Sequence, residues 1–160
     1  MAKFIYRMQN ILNLKEKLEE EAKNAYVAQL ARVHAEEDRL QALIERKEEY
    51  EEEGRRIRLQ KLNVRDLEEN EYAVSTMKGM IEAQRRVLSD EEAVLDEKRG
   101  GYEEAMKERK TQDKLKEKAF EAFKVELNMQ ESKEIDELTS YVYGNRIRLN
   151  RDETGGRSDG

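Results

Sequence analysis

Apolar and aromatic side chains recur at steps of three and four along the first part of the chain: Phe4, Met8, Ile11, Leu18, Ala22, Tyr26, Leu30, Val33, Leu40 and Ile44, with Lys15 and Glu37 interrupting the series. Such steps return to one face of an α-helix, so the spacing predicts a long amphipathic helix whose apolar stripe needs a partner. The mean step is about 3.6 residues, the period of a straight helix rather than of a left-handed supercoil, and predicts a nearly straight arm. Glu19, Glu20, Lys23, Arg32, Asp38 and Arg39 fall on the remaining faces, the side left to water.

The pattern stops near Glu53. Gly54 follows, and glycine after a helical run is a stop signal. From there to Arg65 the chain reads GRRIRLQKLNVR, basic and free of acids, directly after the acidic EEYEEE. Asn63, with Asp66 three residues on, has the form of an N-terminal cap for a second helix. These signals predict a first arm over residues 3 to 53, a bend over 54 to 65 and a second arm over 66 to 142. In the second arm Met77, Ile81, Leu88, Leu95, Tyr102, Met106, Phe120, Phe123, Leu127, Leu138 and Val142 keep steps of three or four, or their multiples. Gly100 and Gly101 predict a kink in a continuous helix, at about 1 kcal/mol each relative to alanine. The polar, glycine-rich RIRLNRDETGGRSDG predicts a disordered tail over 144 to 160.

Two arms and one bend bury both stripes most simply as an all-α helical hairpin, a long antiparallel two-stranded coiled coil. The expected register sets Ile44 opposite Met77 to Ile81, Leu30 opposite Leu95, Ala22 opposite Tyr102, and Phe4 near Phe120. The stretch KERKTQDKLKEK, residues 107 to 118, has Leu115 as its one apolar side chain and then lies beside Met8, Ile11 and Leu14. Residues beyond about 121 overhang, and Phe123, Leu127, Leu138 and Val142 there call for another protein.

Composition supports this class. Of the 160 residues 42% are charged and 37% hydrophobic, and proline, cysteine and tryptophan are absent. That is too little apolar material for a compact domain, yet the chain is rich in the good helix formers Glu, Lys, Leu, Ala and Arg, which favours extended helix over disorder. A formal charge of −6 argues against nucleic acid as a partner, since phosphate affinity needs clustered cations. No segment approaches the roughly 20 apolar residues that span a bilayer, and the start MAKFIYRMQN lacks a signal-peptide run, so the expectation is cytoplasmic placement without membrane insertion. Absence of cysteine removes disulfides and thiolate metal sites.

Candidate chemistry is sparse. There is a single histidine, His34, beside the stripe residue Val33, and no glycine-rich phosphate loop. Acidic residues spread along helices, with no enclosed pocket to shift their pKa values, are solvating charge rather than an acid and base pair. The expectation is a non-enzyme without metal or cofactor. Near the bend, Arg39, Leu43, Arg46 and Tyr50 on one arm and Ala73, Met77, Met80 and Gln84 on the other form stripes displaced from the seam. Aromatics and methionines placed so serve either as edge coverage or as a docking surface. The basic bend suits an acidic partner or lipid head groups, or is simply solvated.

Four stretches, KFIYRMQNILNLKEKLEEEAKNAYVAQL, AEEDRLQALIERKEEY, MIEAQR and ESKEIDELTSY, occur in this order. Together they resemble the flagellar FliJ family, a component of the bacterial flagellar type III export apparatus, over residues 3 to 143. The resemblance implies a coiled coil similar to the stalk subunit of rotary ATPases. It implies a monomer at the inner face of the cell membrane that engages the hexameric export ATPase and the cytoplasmic domain of the export gate, and that escorts export chaperones. Carried onto this sequence, Leu43, Arg46, Tyr50, Met77, Met80 and Gln84 would face the gate. Phe4, Met8, Ile11, Phe120, Phe123, Ile135 and Leu138 would face the ATPase ring. Gly100-Gly101 depart from the unbroken second helix such a protein would have. The other reading keeps the fold: a coiled-coil scaffold or helical-hairpin chaperone acting through homodimerisation or client clamping.

Overall fold

A chain without proline and rich in Leu, Ala, Glu, Lys and Arg meets no local obstacle to helix. A computed structural model, which describes residues 2 to 155, contains α1 (Gln9–Leu59), 51 residues long, and α2 (Val64–Gly155), 92 residues long. No strand occurs among the described residues.

The first helix starts later than its apolar spacing suggests. Residues 2 to 6 have no regular structure, and the Met8 carbonyl accepts the N–H groups of Ile11 and Leu12, each at 3.0 Å, to open the helix. Phe4 and Met8 therefore precede the helix instead of lying on its stripe. At its other end α1 does not stop at Gly54 but continues to Leu59, with Arg56 and Arg58 in the last turn, where cations complement the exposed carbonyls. Only residues 60 to 63 join the helices. Asn63 ends this loop as a cap: its Oδ1 accepts the Arg65 N–H at 3.1 Å.

The second helix passes through Gly100 and Gly101 and on through Gly144 to Gly155. Residues 144 to 155, expected to be disordered, are thus helical, and residues 156 to 160 of that expected tail lie outside the described residues. Glycine inside a helix costs about 1 kcal/mol but does not forbid it, and extension from turns already formed adds a hydrogen bond per residue.

The chain divides into two compact units, Asn13–Arg109 and Met1–Leu12 with Lys110–Gly160. In the first unit the helices pack antiparallel. Inward positions on α1 are Lys15, Glu19, Ala22, Tyr26, Gln29, Val33, Glu36, Leu40, Leu43, Lys47, Tyr50, Gly54 and Ile57. On α2 they are Leu67, Asn70, Val74, Met77, Ile81, Gln84, Leu88, Glu91, Leu95, Tyr102, Ala105 and Arg109, with exposed Lys98 the one gap in the series. Steps alternate between three and four, a repeat of about 3.5, which is the period of a left-handed coil and not the straight arm expected from the apolar residues alone. The interior is thin: Val33, Met77, Ile81 and Leu95 are this unit's buried apolar side chains.

In the second unit Leu12 is buried to 2% exposure, and the Phe4 ring packs against Phe120 and Phe123 at centroid distances of 5.1 and 5.4 Å. The contact of Phe4 with Phe120 is the one the expected register required. In the highly charged stretch the apolar residue points outward, Leu115 being 43% exposed, while Gln112 and Lys116 are half-buried. The alkyl stem of a lysine covers apolar surface while its ammonium stays wet, which lets so polar a segment line an interior. From residue 128 to 153 every side chain except half-buried Asn145 is exposed.

Candidate functional site

Polar side chains at inward positions of the Asn13–Arg109 unit pair across the two helices. Nearest the bend, Asn70 Nδ2 donates to the Tyr50 carbonyl at 2.8 Å. Further along, Gln84 Nε2 donates to the Glu36 carbonyl at 3.1 Å and to the Glu36 carboxylate. One heptad beyond, the roles exchange: Gln29 Nε2 on α1 donates to the Glu91 carbonyl at 3.0 Å and to the Glu91 carboxylate on α2. At the end of the unit Arg109 forks onto the Glu19 carboxylate, with Nη2 to Oε1 at 3.2 Å, and Lys15 meets Glu108 at 2.9 Å.

These contacts settle the alignment of the helices. Sliding α2 by one heptad would leave amides and carboxylates facing apolar layers, and an interior polar group without its partner costs about 1 to 3 kcal/mol. The pairs fall within about one helical turn of the expected register on either side of it: Gln29 bonds Glu91, Tyr102 meets Tyr26 rather than Ala22, and Arg109 meets Glu19. Gly54 belongs to the same device. A Cβ there would stand 2.3 Å from Asn70 Oδ1, so glycine leaves the room that the Asn70 amide occupies. Its place in the sequence reflects close approach of helices rather than a helix stop.

Aromatic groups add orientation at two places. Tyr26 and Tyr102 meet edge to face at 6.1 Å, and the Arg99 guanidinium lies 5.9 Å from the Tyr26 ring centroid. Arg46 sits 5.8 Å from the Tyr50 ring, with its Nη2 3.4 Å from the hydroxyl. The hydrogen bond to Tyr50 pushes the Arg46 guanidinium up from its ordinary value.

The stripe near the bend is less displaced from the seam than expected. Leu43 and Tyr50 are half-buried at inward positions, Met77 is buried, and Gln84 is committed to Glu36. Arg39, Arg46 and Met80 are exposed. Of the residues expected near the chain ends, Phe4, Phe120 and Phe123 come together, Met8 and Ile11 are 39% and 40% exposed, and Ile135 and Leu138 are 62% and 64% exposed further along α2. His34 is an exposed residue whose Nδ1 lies 3.4 Å from the Glu37 carboxylate. Concavities such as the one lined by Glu51, Arg55, Arg58, Asn70 and Ser75 are open grooves along the helices. No group of His, Cys, Asp or Glu among the described residues is arranged to hold a metal ion.

Within the Asn13–Arg109 unit two antiparallel helices thus pair through polar as well as apolar layers. The family model described as flagellar FliJ protein matches residues 4 to 148. The chain belongs to the FliJ family. FliJ proteins are non-catalytic components with a role in flagellar export. No curated protein and no solved structure shows a significant match. The FliJ match takes in both helices and the loop between them, and therefore the interior polar pairs, the bend and the exposed stretch of α2 up to residue 148. No helix among the described residues is long and apolar enough to cross a membrane. The residues that apolar spacing overlooks in this FliJ protein are Gln29, Glu36, Asn70 and Glu91. Their signal is positional: each falls in the alternating three-and-four series once polar residues are allowed into it.

Proposed function

We propose that this FliJ protein is a non-enzymatic stalk and adaptor of the flagellar type III export machinery. It engages the hexameric export ATPase through Phe4, Met8, Ile11, Phe120, Phe123, Ile135 and Leu138, meets the cytoplasmic domain of the export gate with the surface near its bend, and escorts export chaperones. It works as a monomer at the inner face of the cell membrane. The observation that carries the reading is the end of α2, where Ile135, Leu138, Tyr141, Val142 and Leu149 are each at least 60% exposed in a chain of a family of export components. A helical stretch that buries none of its apolar side chains lacks the packing that stabilises most protein helices, and a partner supplies it. At the bend, Arg46 and Met80 offer the exposed contact, Leu43 and Tyr50 offer their edges, and Met77 and Gln84 hold the shape from beneath.

Two assays test this. Full-length chain is expected to stimulate the hexameric export ATPase from its own source, and deletion of residues 128 to 160, which spares Phe4 on Phe120 and Phe123, is expected to remove the stimulation. Undiminished stimulation by the shortened chain contradicts the ring assignment. Arg46→Ala with Met80→Ser is expected to weaken binding to the gate's cytoplasmic domain about tenfold in calorimetry, the loss of about 1.4 kcal/mol. Unchanged affinity contradicts the gate assignment.

A further inference from the structure

The bend carries a feature that neither the ATPase nor the gate assignment uses. Leu59, Leu62 and Val64 are 87%, 68% and 67% exposed, at the end of α1, in the loop and at the start of α2. Around them the run from Gly54 to Arg65 holds Arg55, Arg56, Arg58, Lys61 and Arg65 and no acid, in a chain whose formal charge is −6. Two of these cations are matched within their own helices, Arg55 with Glu52 at 2.9 Å and Arg65 with Glu69 at 3.4 Å. Arg56, Arg58 and Lys61 form no ion pair among the described residues. Apolar side chains stand at the apex of the Asn13–Arg109 unit, and uncompensated cations surround them.

We propose that this bend contacts an anionic phospholipid bilayer directly, with Leu59, Leu62 and Val64 entering the head-group boundary and Arg56, Arg58 and Lys61 pairing with lipid phosphates. Charge complementarity selects the occupant. An anionic leaflet attracts basic segments within a Debye length of its surface, and its boundary with the acyl chains takes up apolar side chains without needing a shaped pocket. The short loop between two helix ends is convex, so a protein partner would need a matching cavity, whereas a bilayer yields to it. No spanning segment is involved. The contact would set the bend at the membrane surface, beside the gate proposed above, while resting on its own residues.

The test is sedimentation of the full-length chain with vesicles. Binding is expected to vesicles of phosphatidylglycerol and phosphatidylcholine in equal parts, to fall with rising salt, and to be absent on phosphatidylcholine alone. Arg56→Gln, Arg58→Gln and Lys61→Gln together should weaken it about a hundredfold, at about fivefold per cation. Leu59→Ser with Leu62→Ser should weaken it at least about tenfold while circular dichroism stays unchanged. Equal binding to neutral vesicles, or no effect of either variant, overturns the proposal. So does absence of vesicle binding together with retention on immobilised polyglutamate, which would mark an acidic polypeptide as the occupant. Because the vesicles contain no export protein, failure here leaves the ring and gate assignments to their own assays.

Discussion

Glycine at position 54 forgoes about 1 kcal/mol of helix propensity relative to alanine, and what it gains is space for the Asn70 amide. Gly54→Ala would push that amide off the Tyr50 carbonyl, so the lost interior hydrogen bond outweighs the better propensity and the variant should be less stable by about 1 kcal/mol. In an Asn70→Ala background the clash is gone, and Gly54→Ala should then stabilise by about 0.5 to 1 kcal/mol. A coupling of about 1 to 2 kcal/mol in urea unfolding is the expected readout, and additive effects would show that residues 54 and 70 do not share a site. Gly100 and Gly101 are the contrast. A Cβ at either meets nothing within 4 Å, so Gly100→Ala and Gly101→Ala should each raise stability by up to about 1 kcal/mol. Helix-stop reading of Gly54 failed because a glycine reports missing side-chain volume as readily as a turn, and sequence alone does not say which.

Across the helices, the amide–carboxylate pairs Gln84–Glu36 and Gln29–Glu91 decide how α1 and α2 align. Interior polar pairs seldom add net stability over apolar packing, but they penalise every other register. Replacing Gln29, Glu36, Gln84 and Glu91 by leucine should therefore raise the urea midpoint, by about 1 to 4 kcal/mol in free energy, and also permit other pairings, seen as several oligomeric species by light scattering. A leucine variant that is less stable, or that remains a single species, contradicts this role. Much of the pairing was legible beforehand: Val33, Met77, Ile81 and Leu95 were stripe positions and are buried, and Phe4 lies against Phe120. The polar layers were not, because glutamine and glutamate are ordinarily surface residues and become interior only through a partner on the other helix. Apolar spacing runs from Val33 through Glu37 to Leu40, whereas the inward residue between them is Glu36.

For the whole molecule, membership of the FliJ family implies a role related to flagellar export, and the contrast within α2 is what the proposed ring contact rests on. Residues up to Phe123 and Leu127 are partly covered by the chain itself, whereas the side chains from 128 to 153, Asn145 apart, are exposed. The limits of this region were hard to read because Gly144 and the polar residues after it resemble a disordered tail, while helix continuity depends on the turns already formed before them. Amide hydrogen exchange followed by mass spectrometry measures this contrast directly, since local opening reports how much packing holds each segment. In the free chain, residues 67 to 123 should be protected and residues 128 to 153 should exchange rapidly, and adding the hexameric export ATPase should bring protection to the second stretch. Equal protection of both stretches in the free chain, or a second stretch that stays unprotected while the ATPase is being stimulated, would contradict the account.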